Sequence, residues 1–159
     1  FMIGDEFAAE TGVTILPDPY AVELYGKSVL LSHGDALCTD DVEYQQMRAM
    51  TRNPEWQAMM LQKPLEERLA IARHARTQSQ ERNKTLSESI IDVNSDAVKN
   101  IIREHGVEIL LHGHTHRPAV HPVHVDERPV HRIVLGDWYE QGSMVEWDED
   151  GPRLEELAR

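Results

Sequence analysis

Two apolar runs in this chain end in the same kind of punctuation. Val29-Leu30-Leu31 leads into Ser32-His33-Gly34-Asp35, and Val107 to Leu111 leads into His112-Gly113-His114-Thr115-His116. Neither run carries the alternate polar residues of a half-solvated strand, so each predicts a strand buried on both faces. Such strands belong to sheets covered by other elements, which constrains the chain to an α/β fold. In open α/β sheets polar chemistry collects beyond the carboxyl ends of the strands, where both histidine motifs fall.

The remaining pattern fills in around these two strands. Gly4 to Glu10 reads as a short helix closed at Gly12, and Val13 to Leu16 as a short strand stopped by Pro17. Ala21 to Tyr25, a Gly26-Lys27 turn and Ser28 to Ser32 predict a hairpin. From Asp40 to Asp92 β-branched residues thin out, Met, Leu, Gln, Arg and Glu dominate, and Pro54 and Pro64 mark helix starts. This predicts a helical insertion, 40–92, within a single domain spanning 1–159. Inside it Leu61, Leu65, Leu69 and Ala72 fall at helical spacing beside a basic run of Arg68, Arg73, Arg76, Arg82 and Lys84. On the residues alone this is equally an ordinary amphipathic helix with a solvated basic face. Asn94-Ser95-Asp96 then caps a helix carrying Val98, Ile101 and Ile102 and closed by Gly106. Ala119 to Val125, Val130 to Leu135 and Ser143 to Trp147 read as strands, with a turn at Asp126 to Pro129.

A chain of 159 residues with 40% apolar composition can bury one sizeable core but not those of two ordinary domains. Its net charge of −12 opposes a phosphate backbone and argues against nucleic acid as a general partner. One cysteine, Cys38, excludes a disulfide framework and suits a reducing compartment, with the cytoplasm as default and a small buried thiol as its expected role. No stretch of about 18 apolar residues is present, so membrane contact is expected to be peripheral. The chain starts with Phe in what reads as a helix, and the natural N-terminus is expected upstream.

His114 and His116 are two apart, and in extended backbone such residues share a face. Neutral imidazoles are common ligands for Zn, Mn and Fe. His33 ends the other buried strand. A pair of metals about 3.5 to 4 Å apart can activate a hydroxide and hold phosphoryl oxygens, and histidine with carboxylate suits that task. His121, His124 and His131 are expected on the surface of a hairpin, and His112 as a core or supporting histidine. On these residues alone several readings stay open. They include a phosphodiesterase or phosphatase acting on a cyclic nucleotide, phosphoprotein or other nucleotide sugar, and a non-catalytic metal- or lipid-binding protein.

An HGD strand end followed by a GHTH strand end resembles the last two motifs of the calcineurin-like metallophosphoesterases. Four stretches narrow the resemblance to the UDP-2,3-diacylglucosamine diphosphatase family of lipid A biosynthesis. They are Ser32 to Asp41, Ile90 to Asn94, Leu111 to Ala119 and Arg132 to Trp138. The resemblance implies a metallophosphoesterase sheet sandwich with a helical cap and a cofactor of two Mn²⁺ ions. His33 and His114 would bind one manganese and His116 the other. Asp41, Arg76, Ser79, Asn83 and His114 match substrate-contacting positions, with His114 also placed against the reacting phosphate. A family lysine is replaced by Leu86, leaving Lys84 as a stand-in, and Asp35 matches an orienting position. The implied reaction is hydrolysis of the pyrophosphate bond to UMP and 2,3-diacylglucosamine 1-phosphate. The implied location is peripheral, on the cytoplasmic face of the inner membrane. The family's upstream Asp-x-His, Gly-Asp and Asn-Arg-Asp motifs have no counterpart here, so this chain alone is expected to be inactive.

Overall fold

In the computed structural model, β2 (Lys27–Ser32) and β3 (Ile109–His112) pair in parallel, with Val29 opposite Ile109 and Ser32 opposite His112. The structure describes residues 2–139 and 142–157, with the side chains of Asn83, Glu88 and Ser89 outside the described residues. On the far side of β3 lies β5 (Arg128–Val134), again parallel. β1 (Tyr20–Leu24) and β4 (Ala119–Val125) add antiparallel at the edges, giving the order β1-β2-β3-β5-β4. The two apolar runs thus occupy the interior of the sheet, which is why neither alternates.

Each face of this sheet has its own core. On one side Leu30 and Leu110, both fully buried, pack with Val98 and Ile102 of α6 (Ser95–His105). On the other, Val29, Ile109 and Ile133 meet Val145, Trp147 and Leu154 of a separate hairpin, β6 (Gly142–Asp148) and β7 (Gly151–Leu157). A fully buried Leu or Ile contributes roughly 1.5–3 kcal/mol, so these few side chains fix the register in which both histidine loops leave the sheet. α6 follows the expected signals: the Asn94 carboxamide oxygen accepts from Asp96 N–H (2.9 Å) and Ala97 N–H (3.0 Å), and Gly106 closes the helix at φ 65°. Arg103 near its end clasps Asp126 in the β4–β5 turn (2.7 and 2.9 Å).

Contacts segregate into two compact units: Leu16–Thr39 with the segment from Asp92 onward, and Asp40–Ile91 with the segment up to Ile15. The second unit is helical: α1 (Asp5–Thr11), α2 (Val42–Thr51), α3 (Pro54–Leu61), α4 (Leu65–Asn83) and α5 (Glu88–Ile91). Pro54 opens α3 behind an Asn53 cap, and Pro64 precedes α4, as their backbone restriction predicts. Among the described residues no helix is long and apolar enough to cross a membrane.

Two expectations are corrected. Val13 to Leu16 forms no strand; its apolar side chains are exposed and find no neighbouring strand to pair with. The β1–β2 turn sits at Tyr25-Gly26, both at positive φ, as a two-residue hairpin connection requires, and not at Gly26-Lys27. Leu61, Leu65 and Leu69, at the helical spacing read from the sequence, are 54%, 61% and 44% exposed. β7 was not anticipated, because its charged residues disguise a strand paired on one side.

Candidate functional site

The first loop is built by hydrogen bonds around Ser32. Asp18 Oδ1 accepts from the Ser32 hydroxyl (2.7 Å) and from His33 N–H (3.2 Å), and the Gly34 N–H donates back to Ser32 Oγ (3.1 Å). Gly34 has φ 100°, a conformation that side chains other than hydrogen resist. A Cβ there would also lie 2.7 Å from His112 Nδ1 and 3.1 Å from the Gly113 carbonyl. The turn therefore brings His33 to the rim and buries Asp35 completely, with His33 Nδ1 3.2 Å from Asp35 Oδ1. A carboxylate this close to Nδ1 can orient the ring and leave Nε2 for a ligand.

The second loop crosses the first. Gly113 N–H donates to the His33 carbonyl (3.2 Å) and Thr115 N–H to the Gly113 carbonyl (2.8 Å). His114 and His116 take φ 67° and 54°, left-handed values uncommon outside glycine, so this loop is strained at both histidines. The backbone is consequently not extended there, and shared-face alternation does not describe the pair. His114 comes within 5.2 Å of His33, ring centroid to centroid, at a 49° tilt. Burial, followed by repulsion from His33, pushes the His114 imidazole down to about 4, so at neutral pH it is uncharged with a lone pair to offer. His116 stands apart with its own carboxylate: its Nδ1 is 3.7 Å from Asp137 Oδ2, and Tyr139 meets its ring edge-on at 6.4 Å. His116, Asp137, Tyr139 and Ser143 line a cavity of about 390 Å³.

The structure thus joins His33 to His114 and backs His116 separately. Among the described residues no group of three His, Cys, Asp or Glu side chains converges to hold an ion. The donor chemistry nevertheless fits a divalent transition metal: one imidazole is held neutral by burial, and His33 has a buried carboxylate on Nδ1. Asp18 and Asp137 were not singled out from sequence. Asp18 lies 14 residues from its Ser32 partner, and Asp137 is visible only as part of the Leu135-Gly136-Asp137-Trp138 stretch.

The expected substrate residues other than His114 lie in the helical unit. Asp41 caps α2 by accepting from Tyr44 N–H (2.9 Å), and both its oxygens face Arg82 (2.8 and 2.5 Å). The hydrogen bond to Asp41 chiefly, with Glu43 adding, holds the Arg82 guanidinium above its ordinary value. Arg76 and Ser79 are exposed on α4, and Ser79 lines a groove of about 200 Å³ with Tyr44, Met47 and Arg82. Lys84 pairs with Glu81 (2.6 Å). Two members of the basic run, Arg82 and Lys84, are therefore engaged with carboxylates of their own unit. The side chain of Asn83 lies outside the described residues.

Among the other histidines, His124 and His131 are exposed as expected, whereas His121 is half-buried beside Arg132. Burial first, then Arg132, lowers its pKa, which corrects its expected surface placement. Cys38 is buried, as a small apolar thiol should be.

No family model matches the chain. Curated proteins do. It is 48% identical over 166 residues to the UDP-2,3-diacylglucosamine hydrolase of Stenotrophomonas maltophilia strain K279a, covering 100% of this chain and 67% of that protein. The protein of the same name from Chromohalobacter salexigens is 50% identical over 160 residues, covering 99% of this chain and 65% of its own length. That of Aeromonas salmonicida strain A449 is 48% identical over 156 residues, covering 98% and 61%. The chain spans about two thirds of the length of these relatives. Identity near one half over essentially the whole chain places it in the UDP-2,3-diacylglucosamine hydrolase family.

Proposed function

We propose that the protein to which this chain belongs hydrolyses the pyrophosphate bond of UDP-2,3-diacylglucosamine, giving UMP and 2,3-diacylglucosamine 1-phosphate in lipid A biosynthesis. The observation that carries this reading is end-to-end identity near 48% with proteins named for that hydrolysis. The site supports it with a His33–His114 pair at the ends of adjacent parallel strands, where α/β folds place ligands.

The metallophosphoesterase fold, with two Mn²⁺ ions, belongs to the same proposal. His33 and His114 would hold one ion and His116 the other; when bound, the metals would supply a nucleophilic hydroxide and neutralise phosphoryl charge. The chain's own residues do the rest. Asp35, 3.2 Å from His33 Nδ1, would orient that ring, the neutral His114 ring would face the phosphate, and Asp137 would stand behind His116. Within 40–92, read as a helical cap, Arg76, Ser79, Asn83 and Lys84 would contact the substrate, and Asp41 would act beside them. Exposed Val42, Leu61, Leu65 and Leu69 in this helical segment support acyl-chain or peripheral membrane contact on the cytoplasmic face of the inner membrane. The chain by itself is expected to be inactive, since ligands beyond these three histidines are needed to complete a two-metal site.

The test is UMP release from UDP-2,3-diacylglucosamine with and without Mn²⁺, measured on the full-length protein containing this chain. Metal-dependent release is expected, falling at least about 100-fold in His114→Ala and His116→Ala. A folded protein that releases no UMP from a dispersed substrate would overturn the assignment.

A further inference from the structure

His112 belongs to neither the metal set nor the substrate set, yet it touches both histidine loops. Its side chain is 1% exposed. On one edge, Nδ1 is 2.9 Å from the carbonyl oxygen of Gly113. On the other, Arg132 Nη1 lies 3.4 Å from Nε2. A carbonyl can only accept and a guanidinium can only donate, so the two neighbours together define one ring state: proton on Nδ1, lone pair on Nε2. Arg132 is itself mostly buried and sits 3.7 Å from Asp92, whose other oxygen is 3.6 Å from Arg117 in the same loop as His116.

The ring also fills the space beneath the first loop. Gly34 approaches so closely that a methyl group on it would fall 2.7 Å from Nδ1 and 3.2 Å from Cγ. Below, the His112 carbonyl accepts from Leu135 N–H (2.8 Å), tying β3 to the end of β5. His112 is thus wedged where the two loops cross, between Gly34 above, the Gly113 carbonyl at one edge and Arg132 at the other.

We propose that His112 is a positioning residue whose Nδ1-protonated ring holds the two loops in register and so sets the separation of His33 and His114. It acts through Gly34 and Gly113 and touches no reacting atom. The inference rests on reading His33 and His114 as site residues, but its test needs neither metal nor substrate, so it can fail while the proposed hydrolysis stands.

Long-range proton–nitrogen NMR spectra of the histidine rings test it in the full chain at neutral pH. His112 is expected to show a protonated Nδ1 and a bare Nε2. His112→Asn retains an amide donor near the place of Nδ1, so the ring signals of His33 and His114, and the cross-relaxation between them, should persist. His112→Leu keeps apolar bulk without the donor; both ring signals should shift and the cross-relaxation should be lost, while α6 signals stay in place. The opposite tautomer at His112 would overturn the proposal. So would His33 and His114 signals unmoved by His112→Leu, or displaced as far by the Asn variant as by the Leu variant. If the Leu variant does not fold, the wild-type tautomer and the Asn rescue still decide the matter.

Discussion

The site concentrates its constraints on a few residues with no spare conformational room. Gly34→Ala places a Cβ at φ 100° and within 2.7 Å of His112 Nδ1. It is expected to cost about 1–3 kcal/mol from backbone strain alone, read as a lower urea midpoint at unchanged slope. Asp35→Asn makes a different point. The side chain is nearly isosteric, so the fold should survive, but His33 loses the carboxylate at its Nδ1. Mn²⁺ affinity of the full-length protein, measured by electron paramagnetic resonance, is expected to fall about 10–100-fold. An unchanged affinity would show that Asp35 does not orient a ligand. At this scale the sequence was legible in where His33 and His114 leave the sheet, because the apolar runs before them mark the strands that carry them. It was not legible where the role depends on a partner far along the chain: Asp18 is defined by Ser32, and His112 by Arg132, twenty residues on.

Elements were readable in proportion to how strongly their own residues dictate them. β2 and β3 carry the apolar runs Val29 to Leu31 and Ile109 to Leu111, and α6 has a cap, an apolar face and a closing glycine, so all three were readable locally. Asn94→Ala should therefore weaken the sheet unit by about 1 kcal/mol, seen as a reduced melting temperature. β7 was missed because Pro152, Arg153, Glu155 and Glu156 suit an edge strand and look like a loop in isolation. Its strand character comes from β6, across which Arg153 bridges Glu146 (3.3 Å) and Asp148 (2.8 Å). In the helical segment, the tie between Asp41 at the start of α2 and Arg82 near the end of α4 spans 41 residues. Arg82→Gln leaves a carboxylate residue only 5% exposed without its guanidinium. The expected loss is roughly 2 kcal/mol, less than for a fully buried pair because Arg82 is itself partly exposed. Hydrogen exchange in α2 and α4 should quicken if the tie holds them, and stay unchanged if it does not.

Across the whole molecule the excess of acid over base sets the response to pH. Glu108 is lowered first by the Ser28 N–H and then by Lys27, Asp126 by Arg103, and Asp148 by Arg153. A carboxyl lowered in the folded state stabilises fully above its ordinary pKa, and loses that contribution as pH falls through its folded value. Stability should therefore decline on the acid side of the ordinary carboxylate range, and Glu108→Gln should flatten part of that decline. An acid limb identical in wild type and variant would remove Glu108 from the account. The fold class was legible at this scale because two buried strands already demand cover on both faces. That the segment up to Ile15 clusters with Asp40–Ile91 was not, because it depends on which residues meet and not on their order.

The left-handed backbone at His114 and His116 bears on how such a chain changes over generations. Glycine at either position would relieve the left-handed backbone strain of the loop. Selection for thermal endurance alone would accordingly drift towards glycine at both sites. A population screened only for heat resistance should lose these two histidines early, whereas one screened for turnover should keep them and accumulate its compensating changes elsewhere.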